Sequence, residues 1–223
     1  MAPAQSFDWS GWYAGAGVGG SWNDLGWTYI LNGANPAPNP IRSDQAIVAF
    51  HGGEQYQLTS LGGLGGLVVG YEYSLSMPLE TNWGNSSCPN PAFRCEARLQ
   101  NLQTVGAKLG LTWDRFMLYG TGGWAAGSVL TVEDDGATRD QTQRWHNGWF
   151  VGGGLDYAFY HTPGTDWILG VDYKHVELDG RLHLSTTFPG IDDRTVDVSS
   201  DQLLARLTVK LNGAPSLFGS LFR

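Results

Sequence analysis

Alternation of side-chain character is the feature that most constrains how this chain can fold. Near its C-terminal end, Leu203, Ala205 and Leu207 fall on one face, whereas Arg206 and Lys210 fall on the other. Successive side chains of a β-strand point to opposite faces, so a period of two predicts strands that have one apolar and one polar face. The same pattern recurs along the chain, which predicts an all-β protein.

The alternating segments and their connections predict the architecture. Eight strands are expected, at about 12–22, 61–73, 77–84, 98–113, 116–132, 145–159, 166–178 and 201–212. Short connections, such as residues 74–76 and 114–115, alternate with long ones, such as residues 23–60 and 179–200. Short turns at one end and long loops at the other are typical of transmembrane barrels. We therefore expect an eight-stranded antiparallel up-and-down barrel with long extracellular loops, short periplasmic turns and both termini in the periplasm.

Charged residues share the glycine-rich face of the predicted strands. Four are acidic and four basic: Glu72, Glu80, Asp156, Asp172, Lys108, Lys174, Arg206 and Lys210. A soluble barrel of the lipocalin kind would show its polar face to water. In a membrane, a charge facing lipid at the midplane would cost about 2 to 4 kcal/mol, so these side chains are expected to face the lumen. They would form ion pairs that plug it, or, as the alternative, line a narrow ion path.

Aromatic residues lie near the predicted strand ends, as in the interfacial belts of membrane proteins. The expected periplasmic belt contains Trp12, Trp113, Phe116, Tyr157, Phe159 and Trp167, and the expected outer belt contains Trp22, Trp83 and Trp149.

Composition excludes some functions and limits others. The 13 basic and 21 acidic residues give a net charge of −8, which argues against a nucleic-acid partner. A spanning helix needs about 18 consecutive apolar residues, whereas the most apolar run, GGLGGLVVG, is half glycine. The chain starts MAPAQSFDWSG, without a basic or apolar signal region, so we expect that a signal peptide has been removed.

Two cysteines lie in the short stretch CPNPAFRC. Cys88 and Cys95 are expected to form a disulfide that closes the second surface loop, in an oxidising compartment. The alternative is a zinc half-site or redox pair, but neither a second cysteine pair nor CxxC spacing is present.

Several motifs resemble one known family. The sequences DWSGWYAGAGVGGSW, GGLGGLVVGYEY, TVGAKLGLTWDRFMLYGTGGWAAGSV, NGWFVGGGLDYAF and GVDYKHVEL are similar to strands of small outer-membrane β-barrels of Gram-negative bacteria. These are the opacity-protein-like or outer-membrane-protein-A-like "porin family" proteins, especially of the alphaproteobacterial type. The third predicted strand, MPLETNWG, departs from the family pattern. The tail GAPSLFGSLFR follows Asn212, which places the expected assembly signal either at the end of strand eight or at Phe222.

The resemblance implies a structural or surface-interaction role in the outer membrane, including envelope integrity and presentation of extracellular loops. The alternative is a small porin that passes ions or small polar solutes. The partners would be outer-membrane lipid and lipopolysaccharide, other envelope proteins or a second copy of the chain. Residues 133–136, with the sequence EDDG, and Asp192 and Asp193 are expected to form an acidic exposed loop that meets lipopolysaccharide through divalent cations.

A lipid-modifying enzyme and a haem-binding receptor are less favoured hypotheses. His175 and Glu177 lie near the outer end of a strand, but no serine is adjacent to them, so no catalytic residue is predicted. The five histidines are His51, His146, His161, His175 and His183. Their spacing predicts no convergence on one metal, so neither a metal site nor a cofactor is expected. If Gln45–Phe50 and Arg181–Thr187 were both strands, the barrel would have ten.

Overall fold

The computed structural model describes residues 7–30, 37–58, 66–80, 83–88, 92–187 and 193–213. Nine strands follow in chain order: β1 Gly11–Tyr29, β2 Ala37–Leu58, β3 Gly66–Pro78, β4 Gly84–Ser87, β5 Arg94–Trp113, β6 Phe116–Asp134, β7 Arg139–His161, β8 Thr165–His183 and β9 Arg194–Leu211. Within these ranges, no helix is sufficiently long and apolar to cross a membrane.

Eight of the nine strands form a closed ring. The order is β3-β2-β1-β9-β8-β7-β6-β5, and β3 pairs with β5 to close it. The pairs are antiparallel, including the pair of β1 with β9, in which Trp12 lies opposite Leu211. Among the described residues, the short strand β4 pairs with the start of β5 and lies outside the ring. The prediction of an eight-stranded antiparallel barrel is confirmed.

The second strand of the ring was predicted to be part of a long connection. β2 runs from Ala37 to Leu58 and pairs with β1 and β3. Gln45–Phe50, one of the two segments of the ten-strand alternative, lies in its middle. The sequence hides this strand because its inward residues are largely polar or small, such as Ser43, Gln45 and Ala49, so the apolar alternation is weak.

The predicted third strand, 77–84, is wrong. β3 ends at Pro78, and its residue Ser74, placed in a predicted turn, pairs with His51 on one side and Thr104 on the other. The prediction omitted β2 and added a strand at 77–84 that does not exist, so the predicted number of barrel strands, eight, is still correct. The ten-strand alternative is also wrong, because Arg181–His183 ends β8 and residues 184–187 are not in a strand.

The connections alternate between the two ends of the barrel. At one end are residues 59–65, 114–115 and 162–164, together with the first residue of β1 and the last of β9. Residues 30–36, 79–93, 135–138 and 184–193 connect strands at the other end. In the two-residue turn after β5, Asp114 has a φ of 51°, a left-handed conformation that aspartate adopts more readily than bulky residues.

The outer face of the barrel is apolar between two levels of aromatic residues. On β1, Trp12 and Trp22 both point outward, and their separation corresponds to roughly 33 Å of strand, or about 25 Å across a membrane after the usual tilt. That height matches the apolar band of an outer-membrane barrel. β1 nevertheless continues to Tyr29, so the barrel extends beyond the second level. We call the part beyond Trp22 and Trp149 the outer extension.

Most residues of the predicted belts lie on this outward face. Large exposed rings belong to Trp22, Trp113, Phe116, Trp149, Tyr157, Phe159 and Trp167, and Trp12 packs edge-on against Tyr71. Trp83 lies before β4 instead of on a barrel strand, with the Arg98 guanidinium 4.3 Å from its ring centre. Its position follows from the end of β3 at Pro78.

Candidate functional site

The lumen of the barrel is filled by side chains in successive layers. In the outer half, a buried apolar cluster includes Leu25, Trp27, Leu102, Phe150 and Val198. A layer of buried charges lies in the membrane-spanning half, and a second polar cluster lies in the outer extension. An eight-stranded barrel is only wide enough for side chains to fill its interior.

Arg206 on β9 is the centre of the buried charge layer. Its Nη2 lies 2.8 Å from Glu72 Oε2, and its Nη1 lies 3.4 Å from Asp172 Oδ1. Nη1 also donates to the Tyr119 hydroxyl at 2.9 Å, and this hydroxyl donates to Asp172 Oδ1 at 2.9 Å. The guanidinium therefore joins residues from β3, β6 and β8 across the lumen.

Two lysines complete this layer. Lys174 Nζ lies 3.3 Å from Glu72 Oε1 and 3.5 Å from Asp172 Oδ2. Lys108 Nζ lies 3.5 Å from Asp156 Oδ2 and 4.0 Å from the Tyr119 ring centre. Three cations thus face three carboxylates. We call this set the lumen network: Glu72, Lys108, Asp156, Asp172, Lys174 and Arg206.

Glycines give these long side chains their space. A Cβ at Gly154 would lie 2.5 Å from the Tyr119 hydroxyl and 2.4 Å from the carbonyl oxygen of Val171. A Cβ at Gly15 would lie 2.7 Å from the His51 ring. This explains why glycines and charges share one face of the strands: the small residues on one wall accommodate the large polar residues of another.

The structure separates the two remaining predicted lumen charges from this network. Glu80 is exposed beyond the end of β3, so its assignment to the lumen is wrong. Lys210 is buried near the end of the barrel with the short turns, where its Nζ lies 3.0 Å from Asp166 Oδ2. Lys210 also donates to the carbonyl oxygens of Asp8 at 2.6 Å and Ser10 at 3.2 Å.

The residues before β1 close this end of the lumen. The Trp9 side chain is fully buried, its Nε1 donates to the Asp114 carbonyl at 3.0 Å, and its backbone N–H donates to Gln57 Oε1 at 2.9 Å. A depression of about 710 Å³ remains outside this cap, with Lys210 and His161 in its wall.

A second buried ion cluster lies in the outer extension. Arg194 Nη1 is 3.2 Å from Glu133 Oε2 and 3.3 Å from Asp140 Oδ2, and the guanidinium lies 4.6 Å from the Trp27 ring centre. Glu133 also accepts a hydrogen bond from Tyr29. Although burial alone would raise the pKa of Asp140, hydrogen bonds from Thr186 and the charge of Arg194 lower it overall.

The predicted acidic surface loop is therefore corrected in part. Glu133 is buried, and the carboxylates of Asp134 and Asp135 accept backbone N–H groups within their own turn. Asp193 accepts a hydrogen bond from the Ser185 backbone. Asp192 lies outside the described residues, as do the tail after Gly213 and Phe222.

Two histidines meet in the outer extension, contrary to the prediction that none converge. His146 Nε2 on β7 lies 3.0 Å from His183 Nε2 at the end of β8, and both side chains are fully buried. Burial lowers the pKa of His183 to about 3 and also lowers the pKa of His146, so both imidazoles are neutral at pH 7. Their separation of 37 positions in the sequence hid the pair.

The disulfide is confirmed. Cys88 follows β4, Cys95 lies on β5, and the bond joins them beside the β4–β5 pair. It closes a segment of the second connection at the outer end.

An outward-facing polar cluster surrounds His175 near the outer aromatic belt. His175 Nδ1 lies 2.9 Å from Asp201 Oδ1, and Nε2 lies 3.1 Å from Glu177 Oε1. Ser199 donates its hydroxyl proton to Glu177 at 2.8 Å. Carboxylates thus contact both ring nitrogens, and the nearby serine is directed at Glu177, which differs from the serine–histidine contact of a hydrolase.

Several residues of the interior and wall escaped the sequence interpretation. Arg194 and Asp140 fell in segments assigned to loops, and Asp166 was the first residue of the predicted strand 166–178 but was not assigned to the lumen. Tyr119 lay in the predicted strand 116–132, for which no lumen residue was assigned. Glu54 was hidden with β2. It pairs with the outward residues Trp12 and Tyr71 and is buried on their side of the sheet, so it departs from the rule that charges face the lumen.

The closed barrel, its apolar outward band and its filled, charged lumen define an outer-membrane β-barrel protein. No protein-family model matches the chain. The chain is similar to the 31 kDa outer-membrane immunogenic protein of Brucella melitensis, with 26% identity over 197 residues, which cover 81% of this chain and 75% of that protein. The predicted resemblance to small outer-membrane barrels of Gram-negative bacteria is confirmed, and the outer membrane is the location of the protein.

The backbone is similar to those of solved outer-membrane proteins, among them the following two. One is OprG from Pseudomonas aeruginosa, with a TM-score of 0.45 and 13% identity, covering 92% of this chain and 98% of that one. The other is the outer membrane protease OmpT from Escherichia coli, with a TM-score of 0.44 and 13% identity, covering 95% and 100%.

Proposed function

We propose that this outer-membrane barrel is closed to solutes and serves as a rigid support for its outer extension and surface connections. The observation that carries this proposal is the lumen network, which is buried beneath an apolar layer. A filled interior supports a structural or surface-contact role over the small-porin alternative. The function then belongs to the outer extension and its connections, because connections carry binding specificity in most proteins.

Conductance in a planar bilayer tests this closure. The refolded protein is expected to give no stable current steps. Lys108→Ala and Arg206→Ala shorten side chains of the lumen network, whereas Leu109→Ala shortens an outward residue and serves as the control. Stable steps from the wild-type protein that change with either lumen substitution, but not with the control, would contradict the proposal and favour a porin.

We also propose that the outer extension faces the outside of the cell and that both ends of the barrel strands β1 and β9 face the periplasm. The long reach beyond the aromatic belt and the disulfide at the same end support this orientation. Two single cysteine substitutions test it: Ala137→Cys in the turn at the outer end, and Gly164→Cys in a turn at the opposite end. A Cβ added at Gly164 meets no atom within 4 Å. A membrane-impermeant thiol reagent on intact cells should label the first only; labelling of the second alone would reverse the orientation.

The proposed partners are outer-membrane lipid and lipopolysaccharide at the level of the outer belt, and another envelope protein or a second copy at the outer extension. The carboxylates of Glu177 and Asp201 face outward there and would meet anionic lipid through divalent cations. Lipopolysaccharide binding that persists unchanged in a chelator would contradict this bridge.

We propose that the barrel is not an enzyme. The contacts of His175 with two carboxylates support this, since neither ring nitrogen is directed at the Ser199 hydroxyl. Lipid A and phospholipid incubated with the protein should be recovered unmodified. Modification that His175→Ala abolishes would overturn this part of the proposal.

A further inference from the structure

The histidine pair of the outer extension brings two imidazole nitrogens together in the buried interior. His146 and His183 approach through their Nε2 atoms at 3.0 Å. The two rings come from adjacent strands, are tilted by 36° and have centres 5.2 Å apart. Two neutral imidazoles can meet this way only if something positive lies between the facing nitrogens, either a proton or a cation.

The other ring nitrogens fix the roles of the pair. His146 Nδ1 lies 3.1 Å from the Asp179 carbonyl oxygen, which can only accept, so Nδ1 carries the proton. Neutral His146 therefore directs the lone pair of Nε2 at His183. This is the usual arrangement of a metal-binding histidine, in which the second ring nitrogen donates to a carbonyl or carboxylate.

Thr131 allows His183 to adopt the same arrangement. Its hydroxyl lies 3.3 Å from His183 Nδ1 and 3.2 Å from the Thr142 carbonyl oxygen. When the hydroxyl donates to His183, His183 Nε2 must carry a proton and donate to His146. When it donates to Thr142 instead, it accepts from His183 Nδ1–H, and both Nε2 lone pairs face the same point.

We propose that His146 and His183 bind a transition-metal cation of the Zn²⁺ or Cu²⁺ class through their Nε2 atoms. Imidazole nitrogen is a preferred ligand of both metals. At Zn–N distances of about 2.0 to 2.1 Å, two nitrogens of a tetrahedral site lie roughly 3.3 to 3.4 Å apart, so the pair needs to open by only a few tenths of an ångström. Water would supply the remaining ligands, which makes the site weaker than a structural zinc site with four protein ligands.

The surrounding charges act on a cation at the pair in both directions. Arg194 lies beside Thr131, but it contacts the carboxylates of Glu133 and Asp140 at 3.2 and 3.3 Å. Two negative groups therefore face one positive group in the same cluster. Arg194 and Arg144 act on His183 and Arg181 acts on His146, so all three oppose cation binding, whereas Asp197 favours it at His146. The expected affinity is therefore modest.

The experiment uses the folded, chelator-treated protein in detergent and the metals alone. Zn²⁺ titration by calorimetry is expected to show one site, and the Cu²⁺ form is expected to show hyperfine coupling to two nitrogens in its electron paramagnetic resonance spectrum. His183→Gln and His146→Gln should each lose this site and the two-nitrogen signal. Thr131→Val, which changes a positioning residue, should weaken binding by about 10- to 100-fold.

His175→Gln is the matched control, because His175 with Glu177 and Asp201 is a rival place for a metal. Binding that survives in His183→Gln and disappears in His175→Gln would overturn the proposal, as would an absence of binding to the wild-type protein. If either variant of the pair fails to fold, the wild-type spectrum decides: one coupled nitrogen, or none, contradicts the site.

Discussion

Arg206 and Glu72 are 134 positions apart in the sequence, yet Arg206 Nη2 lies 2.8 Å from Glu72 Oε2 in the lumen. Arg206 is on β9 and Glu72 is on β3, and two further strands lie between them around the nearer side of the ring. The pair therefore crosses the interior instead of following the sheet. It holds opposite walls at a fixed distance.

Removal of one partner of this pair should destabilise the barrel. Glu72→Ala removes one of the two buried carboxylates that Arg206 and Lys174 share and leaves both cations on Asp172 alone, which should cost about 3 to 5 kcal/mol. Urea unfolding in detergent, followed by tryptophan fluorescence, measures the loss. Asp44→Ala is the control because Asp44 is exposed, and it should change stability by less than about 0.5 kcal/mol. Equal losses for the two variants would contradict the role of the lumen network.

Gly154 should be intolerant of even a methyl group. An alanine there would place its Cβ against the Tyr119 hydroxyl and the Val171 carbonyl, so Gly154→Ala should cost about 1 to 3 kcal/mol through overpacking. Gly164→Ala, in a turn with open space around the added Cβ, should be nearly neutral. Heat-dependent migration of the folded barrel in gels, together with urea unfolding, compares the two. A neutral Gly154→Ala would show that the wall can move away from Tyr119.

Reduction of the disulfide should loosen the second connection and leave the ring intact. The bond joins positions 7 apart, and a loop of this length corresponds to about 2 to 3 kcal/mol of chain entropy. In Cys88→Ser/Cys95→Ser, protease cleavage between residues 79 and 93 should accelerate, while the β-sheet signal in circular dichroism stays unchanged. Loss of the sheet signal would mean that the bond supports the barrel itself.

Asp140 should link stability to acid conditions. Its pKa is lowered in the folded protein from an ordinary value of 3.8, because the Thr186 hydrogen bonds and Arg194 outweigh burial. A lowered pKa stabilises the fold above the unfolded-state pKa, and this contribution is lost as the pH falls through the folded-state pKa. Asp140→Asn should therefore melt at a lower temperature than the wild type at pH 6.

The difference in melting temperature between Asp140→Asn and the wild type should shrink as the pH falls below about 3.8. The exposed substitution Asp44→Asn should follow the wild type throughout. A difference between Asp140→Asn and the wild type that stays constant down to pH 2.5 would exclude the titration of Asp140 as its cause.

The sequence predicted the barrel class because apolar alternation is strong in the strands that contact lipid on one side. It failed for β2, where several inward residues are polar or small and the outward residues Arg42 and Asp44 are charged, and for residues 77–84, where alternation continues past the end of β3 at Pro78. The sequence correctly assigned the charged residues of the lumen network to the lumen, because they lie on the same face of their strands as the glycines. Arg194, Glu133 and Asp140 were not found as a cluster, because the strands continue beyond the membrane into segments whose polarity resembles that of loops.

Lys210 donates to the carbonyl oxygens of Asp8 and Ser10, which are 202 and 200 positions away. The cap formed by Trp9 and its neighbours is therefore fastened by the last strand of the ring. During biogenesis, Lys210 can reach these carbonyl oxygens only after β9 has paired with β1, so this fastening of the cap depends on closure of the ring. The contacts of Trp9 with Gln57 and Asp114 do not involve β9. An assembly intermediate that lacks β9 would have the cap without this fastening.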